Sequence, residues 1–287
     1  MKRRLINILL VITLLTGCVL LLYPMLSNQW NNLRQKILIN NYETIINEME
    51  EADFSREWEA ARAYNNSLEY NALYTDVFED SDIDLKDTEY WKVLNVANDG
   101  VMGYLSIPKI NIKLAIYHSA KEEVLQTGVG HINGTMLPIG GNSIHTVLSA
   151  HRGLPSARLF TDIDQLQKGD MIYIHVLDET LAYEVDQVLD MIEKNDAKTL
   201  GKALSVEDGT DRITLFTCTP YGINSHRLLV RGTRVPYAGE EVQTSLAVEG
   251  MLKAVQNYEM LYIILALASG ILIVLIMKQV TRNKRKR

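Results

Sequence analysis

Two long apolar runs, Leu5–Tyr23 and Met260–Met277, constrain every fold open to this 287-residue chain. Each approaches the ~20 residues that cross a hydrocarbon core. The first follows Lys2, Arg3 and Arg4 and ends at Pro24, and the second is followed by KQVTRNKRKR. Lys and Arg stay on the cytoplasmic side, so both tails, 1–4 and 278–287, are expected inside. The chain then reads as a two-pass membrane protein with spans 5–23 and 260–277 and everything between them outside. A cleaved signal peptide is the alternative for the first run, and a buried core helix for the second. LTGC at Leu15–Cys18 also has the form of a lipoprotein processing site. The apolar run continues past it through VLLLY, which speaks against processing; either way the N-terminus stays at the bilayer.

The tails hold nine cationic residues and no Asp or Glu, leaving 20 Lys and Arg against 35 Asp and Glu, a net charge of −15 for the middle. That balance argues against nucleic acid or anionic lipid as a partner of the middle region. It suits a basic partner, a cationic wall surface, or simply a solvated acidic face.

Within the middle, 24–70 has helical spacing. Trp30, Leu33, Ile37, Ile45 and Met49 form one apolar stripe, and Phe54, Trp58, Ala61 and Leu68 a second. The expectation is one or two amphipathic helices joined near Asp53 and packed on the main domain. Residues 71–90 lack a sustained period; from Asp76 to Glu89 they carry seven acidic residues and one lysine. They read as a surface loop. From Gly100 the pattern turns to short apolar or alternating runs: GYLSIPKI, IKLAIYH, HTVLSA, MIYIHV, LAYEVDQVLDM, RITLFTC and RLLVRGTRV. Seven or eight such strands, divided by Gly, Asp, Asn and Pro, fit a small barrel or sandwich over 91–238. Asn195–Asp211 reads as a polar interruption, and 239–259 as a helix-like connector to the second run.

The chain has two cysteines. Cys18 lies in the first apolar run and Cys218 in the outer domain, so they are not expected to bridge. A lone thiol in an oxidising compartment is either buried or useful. In ITLFTC, alternation puts Thr214, Phe216 and Cys218 on one face, with Cys218 at the strand end before Thr219-Pro220. An unperturbed thiol is only a few per cent ionised at neutral pH and needs a histidine or cation nearby. Arg227 opens the next strand after a turn rich in Pro, Gly and Asn. The two ends can therefore meet, and a guanidinium suits an oxyanion. Of six histidines, His151 sits where an apolar strand gives way to a loop. His145 begins that strand, roughly 20 Å away by strand rise. His226 should point away from Arg227. Spacing alone leaves the choice of histidine open. No H-x-x-x-H, C-x-x-C, G-x-S-x-G or phosphate-cradling loop occurs, so neither metal nor cofactor is expected.

TLFTC at Thr214–Cys218 resembles the sortase signature T-L-x-T-C. The longer TLFTCTPYGINSHRLLVRG, together with GVMGYLSIPKI, LQTGVGHINGT, LPIGG and LSAHRGLPSARLFTD, resembles the class C, pilus-building sortases across roughly Asn71–Pro236. The resemblance implies a mainly β fold: a closed sortase-type barrel of about eight strands with N-terminal helices, a lid loop and two membrane helices. It also implies a cysteine transpeptidase acting on L-P-x-T-G-like sorting signals and pilin lysines. Cys218 is then the nucleophile, His151 the general acid/base and Arg227 the oxyanion or substrate anchor. Class C lids carry D-P-F or D-P-W; here the matching place reads TDVFED, with Asp76 and Phe78 present and Val77 where Pro is expected. Ala150 likewise precedes His151 where Gly is expected. The acidic lid is not spaced as an EF-hand. Rival readings are a sortase that joins proteins to peptidoglycan, a cysteine hydrolase, and a non-enzymatic membrane-tethered binding barrel.

Overall fold

The computed structural model describes residues 2–68, 85–86, 88–239, 241 and 270. The expected lid residues Asp76 and Phe78, most of the 239–259 connector, and the 260–277 run with its basic tail lie outside them. The chain divides into two compact units, Trp30–Gln243 and a second that includes Met1–Gln29.

In the second unit, helix α1 (Lys2–Glu48) begins. Its apolar part is long enough to cross a membrane, and among the described residues none of its most apolar window is buried. The apolar run ends at Pro24, but the helix does not: α1 continues through it into the expected helical region. A proline removes one i→i−4 hydrogen bond but does not itself end a helix that the flanking turns support.

Within Trp30–Gln243, Met49 of the apolar stripe read from the sequence packs against the core, but the buried face of α1 is a different one. Asn31, Gln35, Ile39 and Tyr42 form the buried face of α1, while Trp30, Leu33 and Ile37 are exposed. Hydrogen bonding decides this. Gln35 Oε1 accepts from the Ala115 amide at 2.8 Å, Gln35 Nε2 donates to the Thr127 carbonyl, and Tyr42 Oη accepts from the Leu177 amide at 2.8 Å. These side chains satisfy backbone groups that no strand partner reaches. The join falls at Met49–Glu50 rather than near Asp53, because Asp53 lies in the first turn of α2 (Glu51–Ser67). There its carboxylate accepts from the Glu50 amide at 3.4 Å. The second stripe packs as expected: Trp58 and Ala61 are buried with Asn65. Trp58 Nε1 donates to Asp178 at 2.8 Å, and Asn65 Oδ1 accepts from the Leu137 amide at 2.8 Å.

After the single turn α3 (Glu89–Lys92), eight strands close a barrel: β1 (Val101–Ile107), β2 (Ile112–His118), β3 (Val129–His131), β4 (Ile144–Ser149), β5 (Met171–Val176), β6 (Glu179–Glu193), β7 (Asp211–Thr219) and β8 (His226–Val235). The order around the barrel is β1-β2-β3-β4-β7-β8-β6-β5. The β2–β3 and β4–β7 pairs are parallel and the others antiparallel. Closure leaves no open sheet edge. Gly103 permits it locally, since a Cβ there would lie 2.3 Å from the His175 carbonyl oxygen on β5.

Alternation sends Leu105, Ile107, Ile116, Leu148, Ile174, Leu215, Leu228 and Val230 into one core. The opposite face of β4, β7 and β8 carries a second cluster of Val147, Phe216 and Leu229. Leu200 and Leu204 of α5 (Ala197–Leu204) cover that cluster. This helix lies in the stretch read as a polar interruption. Asp196 caps it by accepting from the Thr199 amide, and only its Leu200–Gly201–Leu204 side is buried.

Candidate active site

Cys218, Arg227 and His151 converge at one end of the face that carries the second cluster. Cys218 is the penultimate residue of β7, and its register partner on β8 is Arg227. Both are buried, at 8% and 4% exposure. Phe216, two residues before Cys218, and Leu229, two after Arg227, lie in the second cluster, so the thiol and guanidinium share its face. Leu228 points instead into the barrel core. The Thr219–Pro220 bond is cis and the turn closes through Asn224 at φ 59°. Arg227 Nη1 donates to the carbonyls of His226 and Asn224 at 2.9 and 3.1 Å, which ties the guanidinium to that turn.

His151 arrives by the parallel β4–β7 pairing. Ser149 is level with Phe216, and two more residues along each chain bring His151 level with Cys218. The pairing continues past the strand end: the Ala150 amide donates to the Phe216 carbonyl at 3.4 Å, and Thr217 Oγ1 donates to the Ala150 carbonyl at 2.7 Å. The Ala150 methyl faces the barrel core and is fully buried, away from His151. Beyond His151, Gly153 holds φ 85° with the Tyr221 ring 3.3 Å from where a Cβ would stand. The loop after β4 is thus pressed on the β7–β8 turn.

Two features of this end were not found from the sequence. Arg152 donates to Thr219 Oγ1 at 3.0 Å and to Asp164 at 2.5 Å, bracing the cis-proline corner. Glu122, on the single turn α4 (Glu122–Leu125), has Oε2 2.9 Å from His151 Nε2. The two residues are 29 positions apart, so no local pattern could have paired them.

The other histidines have different surroundings. His145, His118 and His131 are buried. Burial, the largest cause, pushes His131 and His145 down to about 4. His145 is bracketed by the Ser205 carbonyl and Thr214 Oγ1, each at 2.8 Å. His175 stacks on Tyr104 with centroids 4.2 Å apart, beside a cavity of about 220 Å³ also lined by Tyr42 and Glu43. That cavity lies across the barrel from β7. Among the described residues, no three His, Cys, Asp or Glu side chains are grouped so as to hold a metal ion.

Comparison with known proteins agrees with this architecture. A sortase-domain family model matches residues 105–235. Sortase A of Bacillus anthracis is 30% identical over 169 residues, covering 58% of this chain and 76% of that protein. Among solved structures, Streptococcus agalactiae sortase C1 is 42% identical with a TM-score of 0.63, covering 72% of this chain and 98% of that one. Streptococcus pneumoniae sortase C is 39% identical with a TM-score of 0.59, covering 70% and 97%. The chain belongs to the sortase family and is a cysteine transpeptidase of the class C type. Its closed eight-stranded barrel is the fold of these neighbours.

Proposed function

We propose that this chain polymerises pilin subunits through an acyl-enzyme on Cys218. The thiolate attacks the carbonyl carbon of the Thr–Gly bond in an L-P-x-T-G-like sorting signal. The C–N bond breaks, His151 protonates the departing amine, and a thioester remains. The amine of a pilin lysine then attacks that thioester, loses its proton to His151, and leaves as an isopeptide while the thiolate is restored. The thioester conserves the energy of the cleaved amide, so no nucleotide is required. Arg227 stabilises the oxyanion of each tetrahedral intermediate with a fixed charge in a water-poor setting.

The observation that carries this reading is the register match of Cys218 with Arg227, with His151 level on the neighbouring parallel strand. Support for pilins in particular comes from the relatives: the S. pneumoniae structure bears on pilin substrate specificity and an S. agalactiae neighbour belongs to a pilus island. Asp76 and Phe78 act as the lid over this site, and the barrel stands on the outer membrane face between two spans. Incubation of the full chain with a pilin bearing the signal and an acceptor lysine, in the presence of peptidoglycan fragments with a free amine, tests the reading. A ladder of covalent oligomers is expected. A single wall-linked species points to peptidoglycan attachment, and free acid in lysine excess points to hydrolysis.

A further inference from the structure

We propose that Glu122 is a positioning residue for His151. Its carboxylate fixes the tautomer and the orientation of the ring, so that Nε2 keeps its proton and Nδ1 carries the mobile one. This rests on the reading of His151 as the general acid/base.

The chemistry follows from the donor inventory. A carboxylate only accepts hydrogen bonds. Glu122 Oε2 lies 2.9 Å from His151 Nε2, so Nε2 must be the protonated nitrogen. In the neutral ring the lone pair then resides on Nδ1, and in the charged ring Nδ1–H is the proton available to a leaving amine. A carboxylate holding a catalytic imidazole by its other nitrogen acts in this way in serine hydrolase triads.

The carboxylate is itself held in place. Glu122 Oε1 accepts from Gln126 Nε2 at 3.1 Å, one turn along. The backbone of α4 is anchored at both ends. The Lys121 amide donates to Ser119 Oγ at 3.1 Å, and the Gly128 amide closes onto the Val124 carbonyl at 2.9 Å. Leu125 is buried beneath it, and β3 follows directly and pairs Gly130 with Ser149 of β4. Glu122 and His151 are thus fixed to one stretch of sheet. Among the described residues, the other charged or titratable groups at this end include Lys121 and Glu123 at α4, Cys218 of β7, His226 and Arg227 of β8, and Arg152, which turns to Thr219 and Asp164. Glu122 meets the ring with a carboxylate.

A plain surface ion pair is the competing account, because the Glu122 side chain is 57% exposed and such pairs contribute little. A surface pair predicts no change in the tautomer and no change in kcat. The test uses the full chain in detergent micelles, labelled with ¹⁵N-histidine, with the ring tautomer read from two-bond ¹⁵N–¹H couplings where the ring is neutral. His151→Gln assigns the signal. The wild-type ring is expected as the Nε2–H form. Glu122→Leu and Glu122→Ala should give a mixture of tautomers, whereas Glu122→Gln, whose amide oxygen can still accept, should keep Nε2–H. With an L-P-x-T-G peptide, kcat should fall roughly tenfold in Glu122→Leu with KM nearly unchanged, less than the loss on removing a general acid/base outright. Glu122→Gln should recover most of that loss.

Unchanged tautomer and kcat in both Glu122→Leu and Glu122→Ala overturn the proposal. The tautomer readout needs no substrate, so it decides the role of Glu122 whatever the sorting signal is. Turnover that survives His151→Gln overturns the underlying assignment of His151 instead, a result distinct from any Glu122 phenotype.

Discussion

His145 and His151 stand six residues apart on one chain segment and face the same side of the sheet, yet their settings differ in every respect that matters chemically. His145, at the start of β4, is 1% exposed and spanned by a carbonyl and a hydroxyl. Its burial favours the neutral ring, lowering its pKa to about 4. His151, past the strand end, meets a carboxylate and stands level with Cys218. In the proposed reading, one end of the face uses an imidazole as packing and the other as chemistry. The residue type does not decide the role; the available partners do.

The sharpest way to break this contrast is to remove the groups at the Cys218 end. Cys218→Ala and His151→Ala should each lower transpeptidation by roughly 10³-fold or more while the thermal midpoint stays within a few degrees. Loss of folding in both would assign this end a structural role instead.

Arg227→Ala comes next. Removal of one oxyanion donor costs on the order of 10²–10³ in kcat. This variant should also lose roughly 1–2 kcal/mol of stability, because the guanidinium donates to two turn carbonyls. Kinetics and urea unfolding on the same preparation separate the two effects.

The His145 end should respond in stability rather than turnover. Its folded pKa of about 4 lies below the ordinary 6.5, so the folded state binds fewer protons than the unfolded chain between those values. Its contribution is full above pH 6.5 and is lost as pH falls to 4, an effect of about 3 kcal/mol. Denaturant unfolding from pH 7.5 to 4 should show that slope together with the one from His131, which is also held near 4, and His145→Gln should remove the His145 share with kcat at neutral pH retained. The smallest effect is expected from Thr214→Val, which removes the hydroxyl beside His145 Nε2 and should cost about 1 kcal/mol.

What could be read from the chain divides along physical lines. Strand alternation is local, so seven of the eight strands and the Thr214–Phe216–Cys218 face were legible. The Cys218–Arg227 hairpin was legible because a short turn forces its ends together. β3 was not, since three residues with a central glycine carry no alternation. The packed face of α1 was misread because apolar spacing points to Trp30, Leu33 and Ile37, whereas Gln35 is held inward by backbone groups of another element. Glu122 escaped for the same reason: its partner is set by how β3 joins β4, not by any spacing within KEEVLQTG. Long-range hydrogen bonding, not periodicity, governed the α1 face and the Glu122–His151 pair.

The central claim is that Cys218 carries the acyl group. Its most direct test is the intact mass of the full chain, with Asp76→Ala and Phe78→Ala opening the proposed lid, after mixing with an L-P-x-T-G peptide. The account predicts an adduct with the mass of the peptide's acyl portion, mapped to Cys218, released by hydroxylamine and absent in Cys218→Ala. An adduct that survives Cys218→Ala, or no adduct while Cys218 still reacts with a small alkylating reagent and the peptide is nonetheless cleaved, would contradict it.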